Sequence, residues 1–315
     1  TYKANDGTAD SGTATVTITV SAAGAVTASI DPSRTSGVAP LSVLFDATGT
    51  TATSVGDPYH EVYYEWSFGD AGSGTWSMTG KSKNVAMGPI AAHVFDSPGT
   101  YNVTLTATDP NGNVDSDQVT INVSDPDSVF SGTDTVCFST SGNFDGAPAG
   151  SEHVTTSSFD TVGNYVAAGK RLLLRRGESW TASSGININN TGPGIVGAFG
   201  TGSKPQITGA TTMVDFSSRT PDCADWRVMD LDLDGSNGAT DAIGAGGTAD
   251  HILVYRVDMV NFGNGIGAAV SILNYWNANG YPGHTLHNGW AVVDCTIDHC
   301  TGGSGNNGID LTGRR

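Results

Sequence analysis

Ala14, Val16, Ile18 and Val20 alternate with threonines, a pattern that predicts a half-buried strand. Strand-sized alternation recurs through the first half of the chain. Pro40 opens a run whose Leu41, Val43 and Phe45 share a face, and Tyr63 to Phe68 leads into a turn at Gly69-Asp70. His93-Val94-Phe95 precedes the turn Pro98-Gly99, after which Tyr101, Val103, Leu105 and Ala107 point inward. Asp109-Pro110-Asn111-Gly112-Asn113 predicts a hairpin turn, and Val119, Ile121 and Val123 close the sheet. Residues 27–124 therefore read as one β-sandwich, 21–26 as a small-residue linker, and 1–20 as a terminal hairpin too short to make its own sheet.

The second half is repetitive. Segments 226–235, 251–263 and 290–300 share one frame: Val228, Val254 and Val292 take its first apolar position, Leu231, Val257 and Cys295 the second, and Leu233, Met259 and Ile297 the third. A shorter strand follows each, around Ile243, Ile266 and Ile309, and His251 aligns with Trp226 and Trp290. The spacing is 26 residues from Val228 to Val254 and 38 from Val254 to Val292, as expected of a coil rung with one loop insertion. Residues 125–154 read as a connector or cap, and 155–315 as the coil.

Composition agrees with an all-β chain. Among 315 residues there are 43 glycines and only 14% charged residues, while 37% hydrophobic residues in alternating runs argue for packed sheets. The net charge is −17, and both halves are acidic, which excludes nucleic acid as a partner. No run of 18 apolar residues predicts a membrane span. The four cysteines lack the paired spacing of a zinc site, and Cys295 is expected to be a buried thiol, not bridged to Cys300.

The motifs APLSVLFDAT, YEWSFGDAG, HVFDSPGTYNVTLTATDPNGN and QVTINV occur in the order of the PKD family and resemble it over about a hundred residues. Ser67 and Ala71 depart from the family's Asp and Gly. Residues 1–20 resemble the end of a bacterial cadherin-like or Ig-like repeat. The stretches KRLLLRRGESW and GIVGAFGTGSKPQITG resemble the opening rungs of right-handed parallel β-helix proteins of the pectate-lyase-like class. The implied fold is all-β: an Ig-like sandwich followed by an incomplete right-handed parallel β-helix.

Candidate chemistry follows from these resemblances. Lyases and hydrolases on the coil fold use carboxylates, with Ca²⁺ or a basic side chain, which makes Asp232, Asp258 and Arg256 catalytic candidates. Against that, Asp230, Arg256 and Asp294 align at one turn position on rungs about 4.8 Å apart, where they would form an alternating charge ladder. Asp232 and Asp258 stack at a second position, and there they could share Ca²⁺ or face solvent. The inserted loop carries Tyr275, Trp276, Tyr281, His284 and His287, a set suited to stacking on sugars. In the sandwich, Asp57, Asp70, Asp96 and Asp109 lie at turns and could ligate Ca²⁺ or simply cap those turns.

Two functions fit. The favoured one is a non-catalytic extracellular or cell-surface module for adhesion, glycan binding or filament and surface-layer assembly. Its partners would be a polysaccharide or cell-surface glycan, together with neighbouring copies or adjacent domains. The alternative is a polysaccharide lyase or glycoside hydrolase with an accessory sandwich. The apolar rows at both ends predict either an excerpt of a longer polypeptide or ends completed by neighbouring subunits.

Overall fold

The structure is a computed structural model that describes residues 7–12, 25–216, 223–236, 238–239, 241–245, 249–262, 268–273, 289–299 and 307–312. It is built from strands. Among the described residues, helix is confined to the short turns Pro58–Glu61 and Pro126–Val129 and the 3-10 segments Gly132–Asp134 and Phe159–Tyr165.

In the first half, a five-stranded sheet runs in the order Ser36–Val38, Val114–Ser124, Gly99–Thr108, Tyr63–Ser67, Val85–Met87. It faces a three-stranded sheet of Asp31–Pro32, Leu41–Asp46 and Ile90–Phe95. Alternation along each strand sends Phe45, Trp66, Phe68, Phe95, Val103, Leu105 and Ile121 into a common core, each at most 2% exposed. The predicted hairpin turn is closed by Asp109, whose carboxylate accepts from the Asn111 and Asn113 amides at 2.9 and 2.8 Å and from the Ser54 hydroxyl.

The second half holds three parallel sheets, each visited once per turn of the chain. One turn comprises Arg171–Arg175, Ser179–Ala182 and Ile186–Asn187. The next comprises Thr191–Phe199, Gln206–Gly209 and Val214–Asp215, and three more follow among the described residues. Apolar residues stack in register from turn to turn: Val136, Leu172, Val196, Val228, Val254 and Val292 in the first sheet, and Trp180, Ile207, Leu233, Met259 and Ile297 in the second. These columns form one core.

Four details differ from the sequence reading. The first parallel sheet begins at Thr135–Ser139, inside the segment read as connector, because that strand is buried along its whole length against Arg171–Arg175. In the third sheet, Val270 pairs between Ile243 and Ile309, whereas Ile266 lies outside the described residues. His251 falls in register with Asp225 and Gly289, one position from Trp226 and Trp290. Val228, Val254 and Val292 share a register position, and two residues before them stand Trp226, Ile252 and Trp290, so Ile252 takes the tryptophan position; the three residues one step earlier all have positive φ (57°, 55° and 69°). Cys295 is half-buried, not buried: it lies between Ala291–Val293 and Thr296–Asp298, each the last strand of its sheet among the described residues, and Cys300 lies outside them.

The outer face of the first parallel sheet is covered as well as its inner face. Leu173, Ile195 and Phe199 point outward and pack with Phe130, Cys137 and Val38, the last from the sandwich. That double burial explains the unbroken apolar run Leu172-Leu173-Leu174. Arg227, 1% exposed, lies in the same contact: its Nε donates to the Pro40 carbonyl at 3.0 Å and its Nη2 to the Val38 carbonyl at 2.9 Å. Asp225 accepts from Arg227 at 2.9 Å and from Arg34 of the sandwich at 2.6 Å. The sandwich and the coil therefore meet through a buried, charge-assisted seam.

Candidate functional site

Beyond that seam the two halves diverge and leave a groove of about 340 Å³. One wall is the outer face of the sandwich's smaller sheet, with Ser42, Leu44, Ala92 and Val94. The other is the late part of the coil's first sheet, with Tyr255, Ala291 and Val293. The loop after Gly69-Asp70 closes one side: it carries Trp76, 41% exposed, and the Lys83 ammonium lies 4.7 Å from the Trp76 ring centroid. Clefts of this size at the junction of two folded units are where small ligands usually bind.

Charge is distributed unevenly around the groove. Lys83 Nζ reaches Asp294 on the coil at 2.6 Å. Arg256 holds Asp230 with two parallel bonds of 2.9 Å and also bonds Asp96 of the sandwich at 3.0 Å. Arg176, two turns earlier, approaches Asp230 at 3.3 Å. The turn column of Asp230, Arg256 and Asp294 is thus an ion-pair array that extends into the sandwich. Two of its partners, Asp96 and Lys83, come from a part of the sequence that carries no sign of the coil.

Asp70 and His93 form a second polar feature of the groove wall, with His93 Nε2 3.0 Å from Asp70 Oδ2 and the imidazole stacked 4.4 Å from the Phe68 ring. Burial pushes the His93 pKa down more than Asp70 pushes it up, so the ring is neutral at pH 7.

A second cleft, of about 330 Å³, lies over the outer face of the coil's second sheet and contains Glu178, Lys204, Gln206, Asp232 and Asp258. Asp232 and Asp258 are register partners. Lys204 Nζ binds Asp258 at 2.8 Å, and Gln206 donates to Asp232 at 3.2 Å. Burial, then the neighbouring Asp258 and Asp234, raise the Asp232 pKa against the opposing Gln206 and Lys204. Lys204 thus supplies the positive charge beside the stacked carboxylates.

The catalytic candidates are therefore split: Asp232 and Asp258 share this cleft, while Arg256 is committed to Asp230 and Asp96 at the domain seam. Of the four sandwich carboxylates, Asp70 and Asp96 line the groove. Asp57 pairs with His60 at 2.6 Å, and Asp109 closes its hairpin. Among the described residues, no group of three or more His, Cys, Asp or Glu side chains is placed to hold a metal ion. Tyr275, Trp276, Tyr281, His284 and His287 lie outside the described residues, and the chain re-enters them at Gly289 and Trp290, both on the groove. Trp76 and Lys83 were not singled out from the sequence. The long Gly- and Ser-rich stretch after Gly69-Asp70, interrupted by one tryptophan, was the available signal.

Residues 26–123 match the family model of the PKD domain. No curated protein matches the chain. Among solved structures, one described as "Structural basis for the promiscuous specificity of the carbohydrate-binding modules from the beta-sandwich super family" is similar at 29% identity, with a TM-score of 0.24. That match covers 32% of this chain and 35% of the other, so the chain spans about a third of its length. No helix among the described residues is long and apolar enough to cross a membrane.

Proposed function

We propose that this protein is a non-catalytic extracellular or cell-surface module that binds glycan in the groove between a PKD sandwich and a right-handed parallel β-helix. Residues 27–124 would form the sandwich, and the helix would begin at Thr135–Ser139, the first strand in chain order of its first sheet, and run on through 155–315. Three strands per turn and in-register apolar columns support the helix assignment. The observation that carries the binding reading is the groove itself, where an exposed tryptophan, serine hydroxyls and carboxylates converge beside a seam fixed by partly buried ion pairs. Sugars bind by laying ring C–H groups on aromatic faces and bonding their hydroxyls to carboxylates, and this groove presents both kinds of group.

The enzyme reading has one observation in its favour, the raised carboxyl of Asp232 beside Lys204 and Asp258 in the second cleft. Affinity electrophoresis through gels containing polysaccharides, run beside a reducing-end and unsaturated-product assay, separates the two. Retardation without product supports the binding module. Product formation abolished by Asp232→Asn establishes the enzyme instead.

A further inference from the structure

Resting on the glycan-binding reading, we propose that the groove selects uncharged oligosaccharides and rejects those bearing uronate or sulfate groups. Three carboxylates, Asp70, Asp96 and Asp294, line it against a single ammonium, Lys83. That ammonium is matched by Asp294 and lies over Trp76, and the nearby Arg256 is matched by Asp230 and Asp96. His93 is neutral at pH 7 because burial lowers its pKa, so it adds no positive charge. Among the described residues, the lining therefore has no uncommitted cation to meet an anionic ligand.

Two phenols, one half-buried and one buried, report the same imbalance. Tyr101 has its pKa raised first by burial and then by Asp70 and Asp96. Tyr255 is raised first by burial and further by Asp96 and Asp294, despite opposition from Arg256. A ligand carboxylate or sulfate in the groove would meet the repulsion that a phenolate at Tyr255, which lines it, would feel, and the net charge of −17 adds to it at long range.

An uncharged sugar meets no such penalty. Its hydroxyls can donate to the Asp96 and Asp294 carboxylates, which are 49% and 32% exposed, and can exchange hydrogen bonds with Ser33, Ser42, Ser73 and Ser97. Its ring can lie on Trp76 beside the exposed Leu44.

The test is an array of uncharged, uronate-bearing and sulfated oligosaccharides, probed with the full chain and with Trp76→Ala and Leu44→Ser variants whose circular dichroism matches the parent. The inference expects hits confined to uncharged oligosaccharides, weakened at least tenfold by either substitution. Hits on uronate-bearing or sulfated probes that are lost in Trp76→Ala would overturn the selectivity and leave the groove as the glycan site. Hits that neither substitution weakens, or no hits at all, would overturn the selectivity and the glycan-binding reading together.

Discussion

Replacing Arg227 by alanine tests whether the sandwich and the coil form one cooperative unit. The side chain is 1% exposed and makes its bonds across the seam, to the carbonyls of Val38 and Pro40 on the sandwich and to Asp225 on its own strand. Burial lowers the guanidinium pKa to about 10, which leaves it charged at neutral pH. Truncation strands two buried carbonyls, at about 1–3 kcal/mol each. Asp225 keeps Arg34 at 2.6 Å, which limits the damage on that side. Removing one partner of a buried charged set costs about 3–5 kcal/mol, so roughly 3 kcal/mol is expected here.

The assay is urea unfolding followed by far-ultraviolet circular dichroism and tryptophan fluorescence, since tryptophans report on both halves. The parent should unfold in one transition. With a slope of about 3 kcal/mol/M, Arg227→Ala should move the first transition down by about 1 M and separate the sandwich from the coil. Arg227→Lys should recover little, because an ammonium lacks the planar fork that reaches the two carbonyls and Asp225 together. A variant that unfolds in one transition at the parent's midpoint would refute the seam.

Two further outcomes follow from local geometry. A Cβ on Gly194 would lie 2.5 Å from the buried Trp226 ring, so Gly194→Ala should cost about 1–3 kcal/mol, read as a lower thermal midpoint. His93 has a folded pKa below its unfolded one, so its contribution is complete above pH 6.5 and is lost as pH falls through the folded value; His93→Gln should flatten the stability profile over that window.

The coil's inner face was legible because its rule is repetition. Val228, Val254 and Val292 align in sequence and stack in register in the structure. Where a turn changes length, counting along the chain slips: Leu233 to Ile243 spans 10 residues, and their register partners Met259 to Val270 span 11. The seam left weaker marks. Val38, Asp96 and Lys83 look like ordinary sandwich residues, and Arg227 looks like an exposed strand position. Their roles depend on which face of the coil the sandwich covers, and no periodicity encodes that. The groove is a consequence of the same docking, so Trp76 and Tyr255 carried no joint signal in the sequence.

The most direct test of the central claim is a crystal structure with the strongest array hit bound. The account predicts sugar density in the groove between the sandwich and the coil, stacked on Trp76 and hydrogen-bonded to Asp96 or Asp294. Density over Lys204, Asp232 and Asp258 instead, with the groove empty, would contradict it.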